Sequence, residues 1–174
     1  MKHIYLIVGP SGTGNTTIAE ELFRRYGYRQ VQSYTDRPIR YPGEKGHIFL
    51  SKEEFDALPP LCSYTCFDGK RYGTTSQVID QNELFVVDVA GVIYFREHYT
   101  GTKTPRVICL HVPADIAASR MQLRGDSPEQ VRSRIENDRV MFRNMDRYAD
   151  IIIDNIDLDT AVSQIHDYIL DCEA

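Results

Sequence analysis

Short, continuously apolar runs alternate along the chain with stretches in which apolar positions recur every three or four residues. Ile4-Tyr5-Leu6-Ile7-Val8 reads as a strand cut off by Gly9-Pro10. From Thr16 the apolar residues Ile18, Ala19, Leu22 and Phe23 keep helical spacing until Gly27 stops them. Tyr28–Ser33 is a candidate second strand, and the Pro-, Gly- and Arg-rich stretch Thr35–Gly46 a loop. Ser51 and Glu54 form a capping box that opens a short helix ended by Pro59-Pro60. Cys62–Phe67 and Lys70–Tyr72 flank Asp68-Gly69 as a hairpin. Leu84–Val89 reads as a buried strand carrying the carboxylate of Asp88, followed by a helix over Gly91–His98. Arg106–Val112 predicts a further strand and Ile116–Leu123 a helix. Ser127 and Pro128 begin another helix, which runs to about Met145 and carries Arg132, Arg134, Arg139 and Arg143. Ile151–Ile153 and Leu158–Leu170 close the chain as strand and helix.

Strands that are apolar along their whole length need cover on both faces, so this alternation predicts an α/β fold with a parallel sheet between helix layers. The Thr35–Tyr72 stretch breaks the alternation and reads as an inserted substrate-binding subdomain. The 174 residues suit a single domain, and 42% hydrophobic with 26% charged residues is ordinary globular composition. Lys plus Arg number 20 against 25 Asp plus Glu, a net charge of −5. That balance argues against coating a nucleic acid polymer or an anionic membrane through bulk charge. Any bound anion needs a local concentration of donors. No apolar run approaches a membrane span or a signal peptide. Cys62, Cys66, Cys109 and Cys172 lack metal or redox spacing and read as thiols of a reducing cytosol, which places the protein in the cytoplasm. Oligomeric state is not legible.

Chemistry enters at the first strand end. Gly9-Pro10-Ser11-Gly12-Thr13-Gly14-Asn15-Thr16 fits the phosphate-loop pattern G-x-x-x-x-G-K-[ST] except that Asn15 stands at the lysine position. Strand before and helix after are the context in which such a loop aims backbone N–H groups and a helix N-terminus at one anion. Gly9, Gly12 and Gly14 let phosphate approach the backbone. Ser11, Thr13, Asn15, Thr16 and Thr17 complete the expected phosphate-binding set, with the Thr16 hydroxyl directed to Mg²⁺. Asn15 can donate a hydrogen bond but brings no charge. Phosphoryl transfer depends on positioning and charge stabilisation, so its absence costs on the order of the ~2.7–4 kcal/mol attached to an oxyanion donor.

These segments, with Ser33-Tyr34-Thr35-Asp36-Arg37-Pro38-Ile39-Arg40, Pro42-Gly43-Glu44, Tyr72-Gly73-Thr74, Asp88-Val89-Ala90-Gly91, Arg124-Gly125 and Ile153–Leu158, follow one another as in guanylate kinases. The chain resembles that family over nearly its full length. The resemblance implies a three-layer P-loop NTPase core (1–32, 83–119, 140–174), an acceptor-binding arm (33–82) and a helical lid (120–139). It also implies transfer of the γ-phosphate of MgATP to GMP, giving ADP and GDP, with the phosphate-binding set of the loop as the ATP site. Carried over by position, Arg37, Arg40 and Tyr72 grip the acceptor phosphate, Ser33 and Thr74 lie near the guanine, and Asp88 stands beside the acceptor site. Arg120, Arg124 and Arg134 are the lid arginines, acting with Asn15 at the transferring phosphoryl group. His47 stands where the family has a phosphate-contacting tyrosine, Ser63 where it has the base-reading glutamate, and Ala90 where it has a glutamine. A serine cannot accept from two guanine donors, and an unpaired buried donor costs roughly 1–3 kcal/mol. The alternatives are a catalytically degenerate module that binds a nucleotide or phospholigand, and a kinase for another phosphorylated acceptor such as ribose 1,5-bisphosphate.

Overall fold

Strand β1 (His3–Val8) is buried at every position, and its alternating side chains serve two separate cores. On one face Tyr5 and Ile7 pack with Ile18, Ala19 and Leu22 of α1 (Asn15–Tyr26) and with Ala161, Val162, Ile165 and Ile169 of α7 (Leu158–Glu173). On the other, Ile4, Leu6 and Val8 meet Val89, Val92 and Phe95 of α4 (Val89–His98) and Ile79 of α3 (Ser76–Asp80). The expected fold class therefore stands: helices cover both faces of a parallel sheet. The computed structural model describes the whole chain except Lys45 and Asp68, with Phe67 described by its backbone alone.

The core sheet has the order β6-β1-β7-β8, from β6 (Leu84–Val86), β7 (Thr104–His111) and β8 (Ile151–Asp154), and all its pairings are parallel. Ile7 lies opposite both Val86 and Ile108, and Leu110 opposite Ile153, so all these strands end on the same side. That edge carries the segments after β1, β6, β7 and β8, the place where such sheets bind ligands.

A second sheet, β3-β2-β5-β4, comes from β2 (Ser33–Thr35), β3 (His47–Phe49), β4 (Leu61–Phe67) and β5 (Lys70–Thr75). The hairpin strands appear where turn chemistry predicts them, although Asp68 of the turn lies outside the described residues. The capping box on α2 (Lys52–Asp56) also stands, with Ser51 and Glu54 bonded reciprocally. Three readings need correction. Tyr28–Ser33 is no strand: only an isolated bridge, Gln30 to Leu84, forms there, and β2 begins at Ser33. Asp88 does not lie in a strand but caps α4, its Oδ1 accepting the Gly91 N–H at 2.6 Å. The arginine-rich helix α6 (Pro128–Met141), capped by Ser127 as expected, stops short of Met145, which begins a separate 3₁₀ turn. Ala117 and Met121 of α5 (Ala114–Leu123) pack with Val131 of α6 and Val112 in a small core of their own.

Candidate active site

The phosphate loop runs from the buried end of β1 into α1. Gly12 and Gly14 hold left-handed backbone angles, φ +81° and +91°. A Cβ on Gly12 would stand 2.6 Å from the carbonyl oxygen of Ala117, and one on Gly14 2.7 Å from the Asn155 carboxamide. Glycine is therefore demanded twice, by conformation and by space. Gly14 is also the N-cap of α1 and offers no side-chain cap, so the first turn of that helix keeps free N–H groups.

Side chains hold the loop from within. The Thr13 hydroxyl donates to the Pro10 carbonyl at 2.7 Å, and the buried Asn155 Nδ2 donates to the Thr13 carbonyl at 2.7 Å. Asn15 turns back on the loop, its Nδ2 donating to the Gly9 carbonyl at 2.8 Å. A cavity of about 380 Å³ lies over the loop, lined by Ser11, Gly12, Asn15, Thr16, Arg120 and Arg124 among others. Arg120, from α5, donates to the carbonyls of Asn155 (2.8 Å), Ile156 (3.2 Å) and Gly12 (3.5 Å), which ties α5 to the loop. Arg124 pairs with Asp126 at 2.6 Å. Arg134 also reaches toward Asp126, at 3.5 Å, and lines a different surface, so the structure does not bring it to the loop. Thr16 and Thr17 are exposed on the first turn of α1. Among the described residues no cluster of His, Cys, Asp or Glu could hold a metal unaided. A lone Thr16 hydroxyl fits a Mg²⁺ that arrives with phosphate oxygens and keeps several of its waters.

The second sheet presents hydroxyls where the core presents amides. Ser63 lies opposite Thr74, Thr65 opposite Tyr72, Thr35 opposite Tyr72, and Ser33 opposite His47, which puts all seven on one face by strand alternation. A cleft of about 260 Å³ runs between this face and the end of β6, lined by Ser33, Ser63, Thr65, Tyr72, Asp88 and Tyr94 among others. Among the described residues Asp88 is the only carboxylate lining it. Thr74 is fully buried, and its Oγ1 has no partner among the described residues.

Arg37 is buried, and its two terminal nitrogens donate to the Glu44 carboxylate at 2.8 and 3.3 Å. The Arg40 backbone N–H adds a bond to the same carboxylate at 2.7 Å. Those three donors hold the Glu44 carboxyl down at about 2. Glu44 in turn keeps the Arg37 guanidinium above its ordinary range. Arg40 itself is exposed. The His47 ring lies 5.3 Å from that of Tyr72, and its Nδ1 is buried without a partner among the described residues. Burial, then the neighbouring Arg37 charge, push its pKa below the ordinary histidine value.

Of the residues expected from the sequence, Ser11, Gly12, Gly14, Asn15, Thr16, Thr17, Arg120 and Arg124 line one cavity, and Ser33, Ser63, Tyr72 and Asp88 one cleft. Gly9 and the buried Thr13 do not line the first, and Arg37, Arg40, His47 and Thr74 do not line the second. Sequence reasoning assigned no role to Glu44, Asn155, Thr65, Tyr94 or Asp138. Glu44 and Asn155 stood inside quoted motifs, so position could have flagged them; the others carry no sequence signal.

A sequence profile of the guanylate kinase family matches residues 1–172. Curated relatives include guanylate kinases of Chlorobium luteolum, 30% identical over 90% of this chain and 85% of theirs, and of Gloeobacter violaceus, 26% over 89% and 81%. Among solved structures, guanylate kinase from Anaplasma phagocytophilum matches at TM-score 0.61 and 18% identity, covering 98% of this chain and 85% of that one. An uncharacterised protein from Eubacterium ventriosum matches at TM-score 0.53 and 16% identity over 98% and 99%. The structural likenesses concern the fold. With the profile spanning almost the full length, and a phosphate loop and hydroxyl-lined cleft on one sheet edge, the chain belongs to the guanylate kinase family.

Proposed function

We propose that the protein is a nucleoside monophosphate kinase that transfers the γ-phosphate of MgATP to the phosphate of GMP, giving ADP and GDP. The observation that carries this reading is the juxtaposition of an anion-binding amide loop and a hydroxyl-lined cleft after neighbouring parallel strands. The amide loop follows β1 and the cleft opens beyond β6, with Ile7 and Val86 in register between them. In this reading residues 33–82 are the acceptor arm and residues 120–139 a lid over the donor.

No strong base is needed, because the acceptor phosphate oxygen is already anionic. The protein's task is to hold two anions in line and to spread the charge that develops between them. Loop amides hold the donor phosphates, and Arg120 and Arg124 border them. A Mg²⁺ held by Thr16 and the nucleotide supplies further positive charge when bound. Arg37 and Arg40 hold the acceptor phosphate, with Tyr72 and His47 beside them, while Ser33, Ser63 and Asp88 face the base and Thr74 stays buried on the same face of the sheet. Asn15, occupied with the Gly9 carbonyl, leaves the loop one cation short. A coupled ADP-release assay across GMP, dGMP, AMP, CMP and UMP tests this. Turnover highest with GMP supports it, and background rates with every nucleotide in both wild type and Asn15→Lys would refute it.

Ser63 favours a second reading, a kinase for a phosphorylated sugar such as ribose 1,5-bisphosphate. The wall opposite Asp88 carries hydroxyls where a guanine reader needs a carboxylate. Competition between GMP and the sugar bisphosphate in one reaction separates the two.

A further inference from the structure

The backbone N–H of Ser11 donates to Oδ2 of Asp138 at 2.7 Å, across 127 residues of sequence. Asp138 belongs to α6, and Ser11 lines the cavity over the phosphate loop. Among the described residues this carboxylate forms no ion pair, and the Ser11 amide is its one hydrogen-bond partner. Two other carboxylates of this region do meet arginines: Asp126 takes Arg124 and Arg134, and Glu136 faces Arg139. Asp138 is thus a carboxylate with no ion pair among the described residues, placed on a donor of the loop whose cavity Arg120 and Arg124 also line. A carboxylate oxygen offers an N–H the same kind of acceptor that a phosphate oxygen does. Asn15 sharpens the effect, since no loop lysine offsets the charge.

We propose that Asp138 is a built-in competitor for polyphosphate, latching α6 onto the phosphate loop until a nucleotide phosphate displaces it. Binding and lid release are then one anion exchange. The nucleotide binds more weakly by whatever the latch contributes, and removing the latch returns that affinity. This rests on reading the loop as a polyphosphate site and is independent of the acceptor.

The test uses the full chain, with inorganic tripolyphosphate and MgATP as probes in calorimetry at low salt. Asp138→Asn keeps the shape, and its amide oxygen can still accept from Ser11, but the charge is gone; Asp138→Ala removes both. Each should bind tripolyphosphate about tenfold more tightly than wild type. Glu136→Gln, an exposed charge change on the same helix, should shift it less than about twofold. Hydrogen exchange adds a second readout: tripolyphosphate should speed exchange in α6 of wild type, whereas Asp138→Ala should exchange fast already. Equal affinities in wild type and both Asp138 variants, weaker binding in either, or a Glu136→Gln shift as large as theirs would overturn the latch. Tripolyphosphate binding to none of the four proteins would overturn the loop reading itself, and the latch with it.

Discussion

At the end of β1 the hydrogen-bond donors are backbone amides, fixed by the left-handed turns of Gly12 and Gly14 and supported by Asn155. In the second sheet they are side chains: the Arg37 guanidinium held on Glu44, and hydroxyls spaced two residues apart along short strands. The first construction is indifferent to most side chains but intolerant of a single Cβ. The second depends on charges that hold one another in place. Arg71 repeats the pattern nearby, bonding Asp36 at 2.7 Å and reaching Asp56. A core of apolar contacts carries the loop, whereas the arm, joined to that core through Cys62 and Ile79, is braced within itself by ion pairs. The two sites should therefore fail in different ways.

The largest expected effect comes from restoring the loop's charge. Asn15→Lys should raise kcat by about 10²–10³ while leaving the acceptor KM near its original value, because the change touches only the donor side. Steady-state kinetics with both substrates varied would check the split.

Next, Arg37→Ala should raise the acceptor KM by about thirtyfold, in line with the ~1.5–3 kcal/mol of a hydrogen bond to a charged group, and leave the KM for ATP within about twofold. It also strands Glu44, so Arg37→Ala/Glu44→Gln should melt at a higher temperature than Arg37→Ala alone. A shift in both KM values would mean that the sites are not separable.

Gly12→Ala tests the other half of the comparison. The left-handed backbone alone costs about 1–2 kcal/mol, and the Ala117 carbonyl adds a clash. Thermal unfolding should show the loss, with nucleotide protection reduced and acceptor binding to the folded protein retained.

The smallest effect is in pH. The Glu44 carboxyl titrates at about 2 when folded and near 4.5 otherwise. Its stabilising contribution is therefore complete above pH 4.5 and drains away as pH falls from there toward 2. Hydrogen exchange over residues 33–75 should accelerate between pH 5 and 3 relative to β1, and Glu44→Gln should flatten that difference.

Much of this architecture was legible because its causes are local. The apolar run at Ile4–Val8, the capping box at Ser51, the N-cap at Ser127 and the glycine spacing of the loop each act within a few residues, so pattern reveals them. Where competing partners decide, pattern misleads. Tyr28–Ser33 has strand-forming residues, yet its backbone is drawn to Glu83 and Leu84 at isolated points, so no ladder forms. Asp88 looked like a strand terminus because capping depends on the direction the chain takes afterwards. The three-residue strand β3 is too short for any periodicity to betray it.

From the order of its residues alone the chain determined a covered parallel sheet, an amide cradle after its first strand, and a basic segment followed by a hairpin, since each depends on neighbours in sequence. Only the folded molecule decided that Asn15 would spend its donor on Gly9, that Arg134 would turn to Asp126 and not to the loop, and that Asp138 would settle on Ser11. Those outcomes depend on which groups meet across gaps of up to more than a hundred residues. A hydrogen bond or ion pair forms with whatever partner packing brings within about 3 Å, and packing is a property of the whole chain.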